Sequence, residues 1–111
     1  SLGSPREVIE QCKPLGIKVF CDVVDTIYAE KVVQLGADAL IAVTKEAGGH
    51  AGSQPATRLI PALKEKFDIP IIGAGGVSRK EDMKKLMDLG ADGVSVGTVF
   101  IASEDSPASS E

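Results

Sequence analysis

Leu35-Gly36-Ala37-Asp38-Ala39-Leu40-Ile41 returns later in the chain as Leu89-Gly90-Ala91-Asp92-Gly93-Val94-Ser95. In both copies a segment with helical spacing of apolar residues runs into a glycine, and a short apolar run follows. Glycine just past a helix ends it, because it can take the left-handed conformation that closes the last turn. Each copy therefore marks a helix-to-strand junction. No hairpin signal separates one strand from the next, so the strands alternate with helices and connect as right-handed parallel βα units.

The rest of the chain reads outward from these junctions. Ser4 followed by Pro5 is an N-cap with proline in the first turn, and Val8, Ile9 and Cys12 recur at helical spacing until Pro14 and Gly16 close the segment Pro5 to Leu15. Ile17 to Val24 is a buried strand, too continuously apolar to have one wet face. Asp25 and Thr26 offer a cap for a helix over Ile27 to Leu35, and Ala39 to Thr44 is the second strand. Pro61 is acceptable in the next helix only within its first turn, which places that helix start near Leu59. Ile69 to Ala74 is the third strand. Ser78 and Glu81 have capping-box spacing, Met83, Leu86 and Met87 face inward, and Gly93 to Thr98 is the fourth strand. The tail from Ser103, rich in serine, acid and proline, is expected to fray.

Composition narrows the function classes. The 111 residues are 43% hydrophobic and 25% charged, as in a soluble globular protein. A net charge of -4 and 4% aromatic content give neither a basic patch nor stacking rings, which argues against nucleic acid as a partner. No apolar run approaches the roughly 20 residues of a spanning helix, so no membrane role is expected. Cys12 and Cys21 have no metal-like spacing, and no leader precedes them; reduced thiols in a cytoplasmic protein are the expectation, with no metal site.

Parallel βα alternation fits a small doubly wound sheet or a barrel. Length favours the barrel in part: a complete eightfold barrel takes about 250 residues, and four strands with their helices make half of one. The expected fold is α/β, the C-terminal half of a TIM (β/α)8 barrel, strands five to eight, with residues 1–111 a single partial domain. Such a half leaves a strand edge and an apolar face open, so the missing N-terminal half or an oligomeric partner is expected to cover them.

Ligands of parallel α/β folds sit at the carboxyl ends of the strands. Three loops fall there: Lys45 to Gly52, Gly73 to Ser78, and Gly97-Thr98. The first joins Glu46 and the only histidine, His50, to Gly48, Gly49 and Gly52. An imidazole exchanges protons near neutral pH, and glycine lets backbone approach a ligand. The other two occupy the usual phosphate position of a barrel, where backbone N–H groups and helix dipoles attract an anion.

Glu46-Ala47-Gly48-Gly49-His50, Pro70-Ile71-Ile72-Gly73-Ala74-Gly75-Gly76-Val77, the second junction, and Gly97-Thr98-Val99-Phe100 followed by Ser103-Glu104 together resemble the nitronate monooxygenase (2-nitropropane dioxygenase) family. The resemblance covers essentially the whole chain. It implies an FMN-binding barrel that oxidises alkyl nitronates or nitroalkanes, small molecules, with oxygen to a carbonyl compound and nitrite. It further implies that Gly48 and Gly49 approach the flavin, that His50 is catalytic on the substrate side, and that Gly75, Gly76, Gly97 and Thr98 hold the FMN phosphate. Flavin-dependent enoyl-acyl-carrier-protein reductases share the superfamily and are the nearest alternative. An IMP-dehydrogenase-like or non-catalytic phosphate-binding barrel is the other.

Overall fold

The structure, a computed structural model, describes residues 4–47, 54–75, 77 and 79–96. Four βα-type units run in order: α1 (Pro5–Cys12), β1 (Phe20–Val23), α2 (Thr26–Leu35), β2 (Ala39–Val43), α3 (Ala56–Lys66), β3 (Ile71–Ala74), α4 (Lys80–Asp88) and β4 (Gly93–Ser95). The strands form one parallel sheet in sequence order, β1-β2-β3-β4.

The two copies of Leu-Gly-Ala-Asp share one bonding pattern. Gly36 (φ 114°) and Gly90 (φ 115°) lie in the left-handed region. Ala37 N–H donates to Val32 O at 3.0 Å and Gly36 N–H to Val33 O at 3.0 Å; Ala91 N–H donates to Leu86 O at 3.2 Å and Gly90 N–H to Met87 O at 3.0 Å. Both sets are Schellman motifs, which satisfy the last helix carbonyls. Each aspartate then makes a two-point clasp. Asp38 N–H donates to Val19 O at 2.8 Å while its carboxylate accepts from Val19 N–H at 2.8 Å. Asp92 N–H donates to Ile71 O at 2.7 Å while its carboxylate accepts from Ile71 N–H at 2.8 Å. The clasp joins the foot of β2 to that of β1, and the foot of β4 to that of β3. A lysine completes each copy: Lys13, just past α1, is 3.9 Å from Asp38, and Lys64 of α3 is 3.0 Å from Asp92.

The helices cover one face of the sheet. Strand side chains alternate, and Cys21, Val23, Leu40, Ala42 and Ile71 are buried with Ile9, Ala29, Val32, Leu59, Ile60, Leu63 and Leu86 in one cluster. Each fully buried leucine or isoleucine there contributes roughly 1.5–3 kcal/mol relative to leaving it in water. On β3, an added Cβ at Gly73 would lie 3.2 Å from Leu86 Cδ1 and 3.4 Å from Ile60 Cδ1, so glycine lets α3 and α4 settle on the strand. The opposite face bears Phe20, Asp22, Ile41, Val43, Ile72 and Ala74, none of which joins that cluster. Phe20 is 53% exposed.

Several expected boundaries move. The first helix ends as α-helix at Cys12 and continues as a 3-10 turn over Lys13–Leu15. Strand β1 starts at Phe20 rather than Ile17, which is half exposed. Helix α3 starts at Ala56, not Leu59, so Pro61 lies inside it. Burial of Ala56, Leu59, Ile60 and Leu63 outweighs the proline penalty, and Pro61 and Thr57 are both on the exposed side, where water can reach the carbonyl that loses its N–H. Arg79, not Ser78, is the N-cap of α4, and its N–H donates to the Asp82 carboxylate at 3.1 Å. Of the three residues expected to face inward there, Leu86 is buried but Met83 and Met87 are 37% and 46% exposed, because the sheet takes only the Leu86 edge of α4. The end of the fourth strand and the tail lie outside the described residues.

Replacing Pro61 by alanine restores a helical N–H and is expected to stabilise the intact protein by about 1–2 kcal/mol, the helix gain being offset in part by a freer unfolded chain. A thermal midpoint that falls would contradict the exposed placement of Pro61. Ile71 N–H and Lys64 hold the Asp92 carboxyl below its usual range despite some desolvation. A depressed carboxyl stabilises above its unfolded pKa and loses that contribution as pH falls through the folded one. Asp92→Asn is therefore expected to lower stability by about 1 kcal/mol at pH 7, and by progressively less below about pH 4. Unfolding curves that show a pH-independent difference would count against the clasp.

Candidate functional site

The carboxyl ends of β2 and β3 meet on one rim. Thr44, directly after β2, is the one buried polar residue among those described, 1% exposed. Its N–H donates to Ala74 O at 3.1 Å, and its hydroxyl lies 3.4 Å from the same carbonyl. The next residues form a 3-10 turn, Lys45–Ala47. Lys45 N–H donates to Gln54 O at 2.7 Å, and Glu46 Oε1 accepts from Ala56 N–H at 3.2 Å. The chain that leaves at Ala47 is thus tied at both ends before α3 begins.

Glu46 caps the N-terminus of α3. Partial desolvation pushes its pKa up, but hydrogen bonds from backbone N–H groups and Thr44, with the charge of Lys85, hold it below the usual carboxylate range. Favourable alignment with the helix dipole acts in the same direction.

Gly75 follows β3 on the same rim with φ 148°, a conformation that side chains rarely adopt. Glu46, Ala56 and Gly75 line a small pocket of about 60 Å³ with Asp82, Lys85 and Leu86 of α4. Lys85 and Asp82 are not among the site residues expected from the sequence. Their spacing of three residues on a helix whose Leu86 is buried was the available signal. Of the other residues expected at the site, Gly48, Gly49, His50, Gly76, Gly97 and Thr98 lie outside the described residues. Gly75 alone is placed, at the predicted strand end.

A larger pocket, about 360 Å³, lies at the edge of β1 between Pro5, Val8, Phe20, Cys21 and Tyr28. It shares no residue with the pocket at the carboxyl ends of β2 and β3 and lies along β1, an edge strand of the sheet. Among the described residues no group of His, Cys, Asp and Glu could hold a metal ion, and no helix is long and apolar enough to cross a membrane.

The family model for nitronate monooxygenase matches residues 1–111. The chain belongs to the nitronate monooxygenase family. A "Probable nitronate monooxygenase" of Staphylococcus aureus is 35% identical over 120 residues, covering 98% of this chain and 34% of that protein. A (3aS,4S,5R,7aS)-5-hydroxy-7a-methyl-1-oxo-octahydro-1H-indene-4-carboxyl-CoA dehydrogenase of Rhodococcus jostii is 34% identical over 106 residues, 96% of this chain and 30% of that one. Among solved structures, FabK from Thermotoga maritima matches with a TM-score of 0.80 and 37% identity over 90% of this chain and 32% of its own. Nitroalkane oxidase from Streptomyces ansochromogenes matches with a TM-score of 0.76 and 30% identity over 87% and 31%. The chain spans about a third of the length of these relatives. The structures it resembles are TIM-barrel proteins, so the four-stranded sheet is part of such a barrel.

Both cysteines are free, Cys12 half-buried and Cys21 buried. Burial, with the charges of Asp22 and Asp38, pushes the Cys21 thiol up, so little reactive thiolate forms near neutral pH. Alkylation of Cys21 at pH 7 in the native protein is expected to be about 10-fold or more slower than after unfolding. Equal rates in the two states would show that the site is open.

Proposed function

We propose that this chain supplies the catalytic histidine and the phosphate-binding loops of an FMN-dependent nitronate monooxygenase, which oxidises alkyl nitronates or nitroalkanes with oxygen to a carbonyl compound and nitrite. The observation that carries the reading is the Glu46-Ala47-Gly48-Gly49-His50 element, whose first acid stands on the same rim as Gly75 with only a small pocket between them. Family membership and the likeness to nitroalkane oxidase support it.

One described feature supports a phosphate-bearing cofactor. Gly75 exposes backbone at a strand end, and the first turn of α4 begins just beyond it; a helix start of this kind favours a phosphate. Gly75, Gly76, Gly97 and Thr98 would hold that phosphate, while Gly48 and Gly49 would admit the ring at close range. When bound, FMN supplies the redox chemistry. His50 takes a proton from a neutral nitroalkane, or as imidazolium balances the charge of an anionic nitronate; ordinary imidazole basicity suits both roles near neutral pH. The substrate is a small molecule, the protein works in the cytoplasm, and the remaining part of the barrel completes the pocket.

An enoyl-thioester reductase of the same superfamily is the second reading, favoured by the likeness to FabK. Nitrite release separates the two. With a simple alkyl nitronate the intact protein is expected to release nitrite, and His50→Ala is expected to keep its flavin but lose turnover of the neutral nitroalkane by about 100-fold or more. Undiminished turnover in that variant would remove His50 from the reaction. Nicotinamide oxidation driven by an enoyl thioester, with no nitrite from nitronates, would establish the reductase instead.

A further inference from the structure

The geometry points to Asp22 as a specificity-determining residue, a fixed negative charge on the wall of the ligand chamber that favours neutral substrates over anionic ones. The inference rests on the functional reading above for the substrate class, and on the sheet for where the charge stands. Burial alternates along β1: Cys21 and Val23 pack against the helices, while Phe20 and Asp22 turn to the other face. Because the sheet is part of a barrel, that face lines its interior, as alternate side chains of barrel strands do. Asp22 is the one charged residue that the four described strands carry.

Strand register gives its height in the barrel. Asp22 pairs with Ile41, Ile41 with Ile72, and Ile72 with Gly93, so these four form a row across the sheet. An added Cβ at Gly93 would lie 3.3 Å from Ile72 Cδ1, so the isoleucine leans over the glycine and fills the row. Phe20 stands below Asp22 on β1, and the same register places Val43, Ala74 and Ser95 in the row above. Asp22 is the last inward-facing residue of β1, as those three are of β2, β3 and β4. Two of the three are small, which keeps the barrel open at the carboxyl ends of the strands, where ligands sit.

A carboxylate enclosed only by Phe20, Ile41 and Ile72 is costly unless it is paired or wet. Among the described residues the Asp22 carboxylate has no ion pair or hydrogen bond. The chamber above the row supplies what the row lacks, water before substrate arrives and a polar group of the substrate afterwards. A nitronate is an anion, and a like charge on the wall of a chamber poor in water repels it. A neutral nitroalkane meets no such barrier. Asp22 therefore shifts selection toward nitroalkanes, and toward substrates that bring a hydrogen-bond donor, at the expense of nitronates and carboxylates.

The test uses the intact flavin-loaded protein with Asp22→Asn, which removes the charge and keeps the shape, and Asp22→Glu, which keeps the charge. The ratio of kcat/KM for ethylnitronate to kcat/KM for nitroethane is expected to rise about 10-fold in Asp22→Asn and to stay near wild type in Asp22→Glu. An unchanged ratio in Asp22→Asn, or the same rise in both variants, would overturn the inference. Calorimetric binding supplies a readout that needs no turnover. Propionate matches ethylnitronate in shape and charge, and Asp22→Asn is expected to bind it about 10-fold more tightly than wild type does, with the affinity for neutral propionamide nearly unchanged. Equal propionate affinity in the two proteins, or binding to neither, would show that the Asp22 charge does not act on ligands and would overturn the inference. Wild-type protein that releases no nitrite from either nitro compound would sink the functional reading alone, and the propionate affinities would still decide the role of Asp22.

Discussion

Two aspartates at the feet of strands carry the organisation of this sheet. A parallel strand that starts after a helix has no hairpin to fix its register, and a slip by one residue would turn its apolar side chains to the wrong face. Asp38 and Asp92 remove that freedom by binding both the N–H and the C=O of one residue on the neighbouring strand, Val19 and Ile71. The glycine before each aspartate is what turns the chain toward the strand. A side chain there would also meet the lysine that reaches over to the aspartate: an added Cβ at Gly36 would be 2.7 Å from Lys13 Cε, and at Gly90 3.1 Å from Lys64 Cγ. Helix end, turn, clasp and covering lysine form one unit, used twice.

With register set at the amino ends, the carboxyl ends are free to hold chemistry. The interactions differ in kind across the sheet. At the feet they are repeated and hold strand to strand; at the rim they are unique, linking Thr44 to Ala74, Lys45 to Gln54 and Glu46 to Ala56. The division matches barrel enzymes generally, where residues at strand carboxyl ends act and those at the other end stabilise. The face turned away from the helices, with Phe20, Ile41 and Ile72, is the one that the interior of a complete barrel would bury.

Much of this was legible in the sequence because its signals are local. The repeated Leu-Gly-Ala-Asp, the Asp25 cap and the Ser4-Pro5 start each rest on a few adjacent residues, and each stands where the pattern put it. What escaped depends on tertiary context. Pro61 lies inside α3 because burial of Leu59, Ile60 and Leu63, together with the Glu46 cap on Ala56, selects an earlier start than proline alone would allow. Met83 and Met87 share helical spacing with Leu86, but spacing does not say how wide a stripe the sheet accepts. At the candidate site, Gly75 is legible from its place after a strand, whereas Lys85 and Asp82 reach the rim from a helix and are marked only by their three-residue spacing.

The central claim is that these strand ends serve a flavin, and the visible absorption spectrum of the purified intact protein tests it most directly. Bound oxidised FMN is expected to appear as a yellow protein that releases one flavin per chain on denaturation. A colourless protein that stays colourless after addition of FMN would contradict the account and leave a phosphate-binding barrel without redox function.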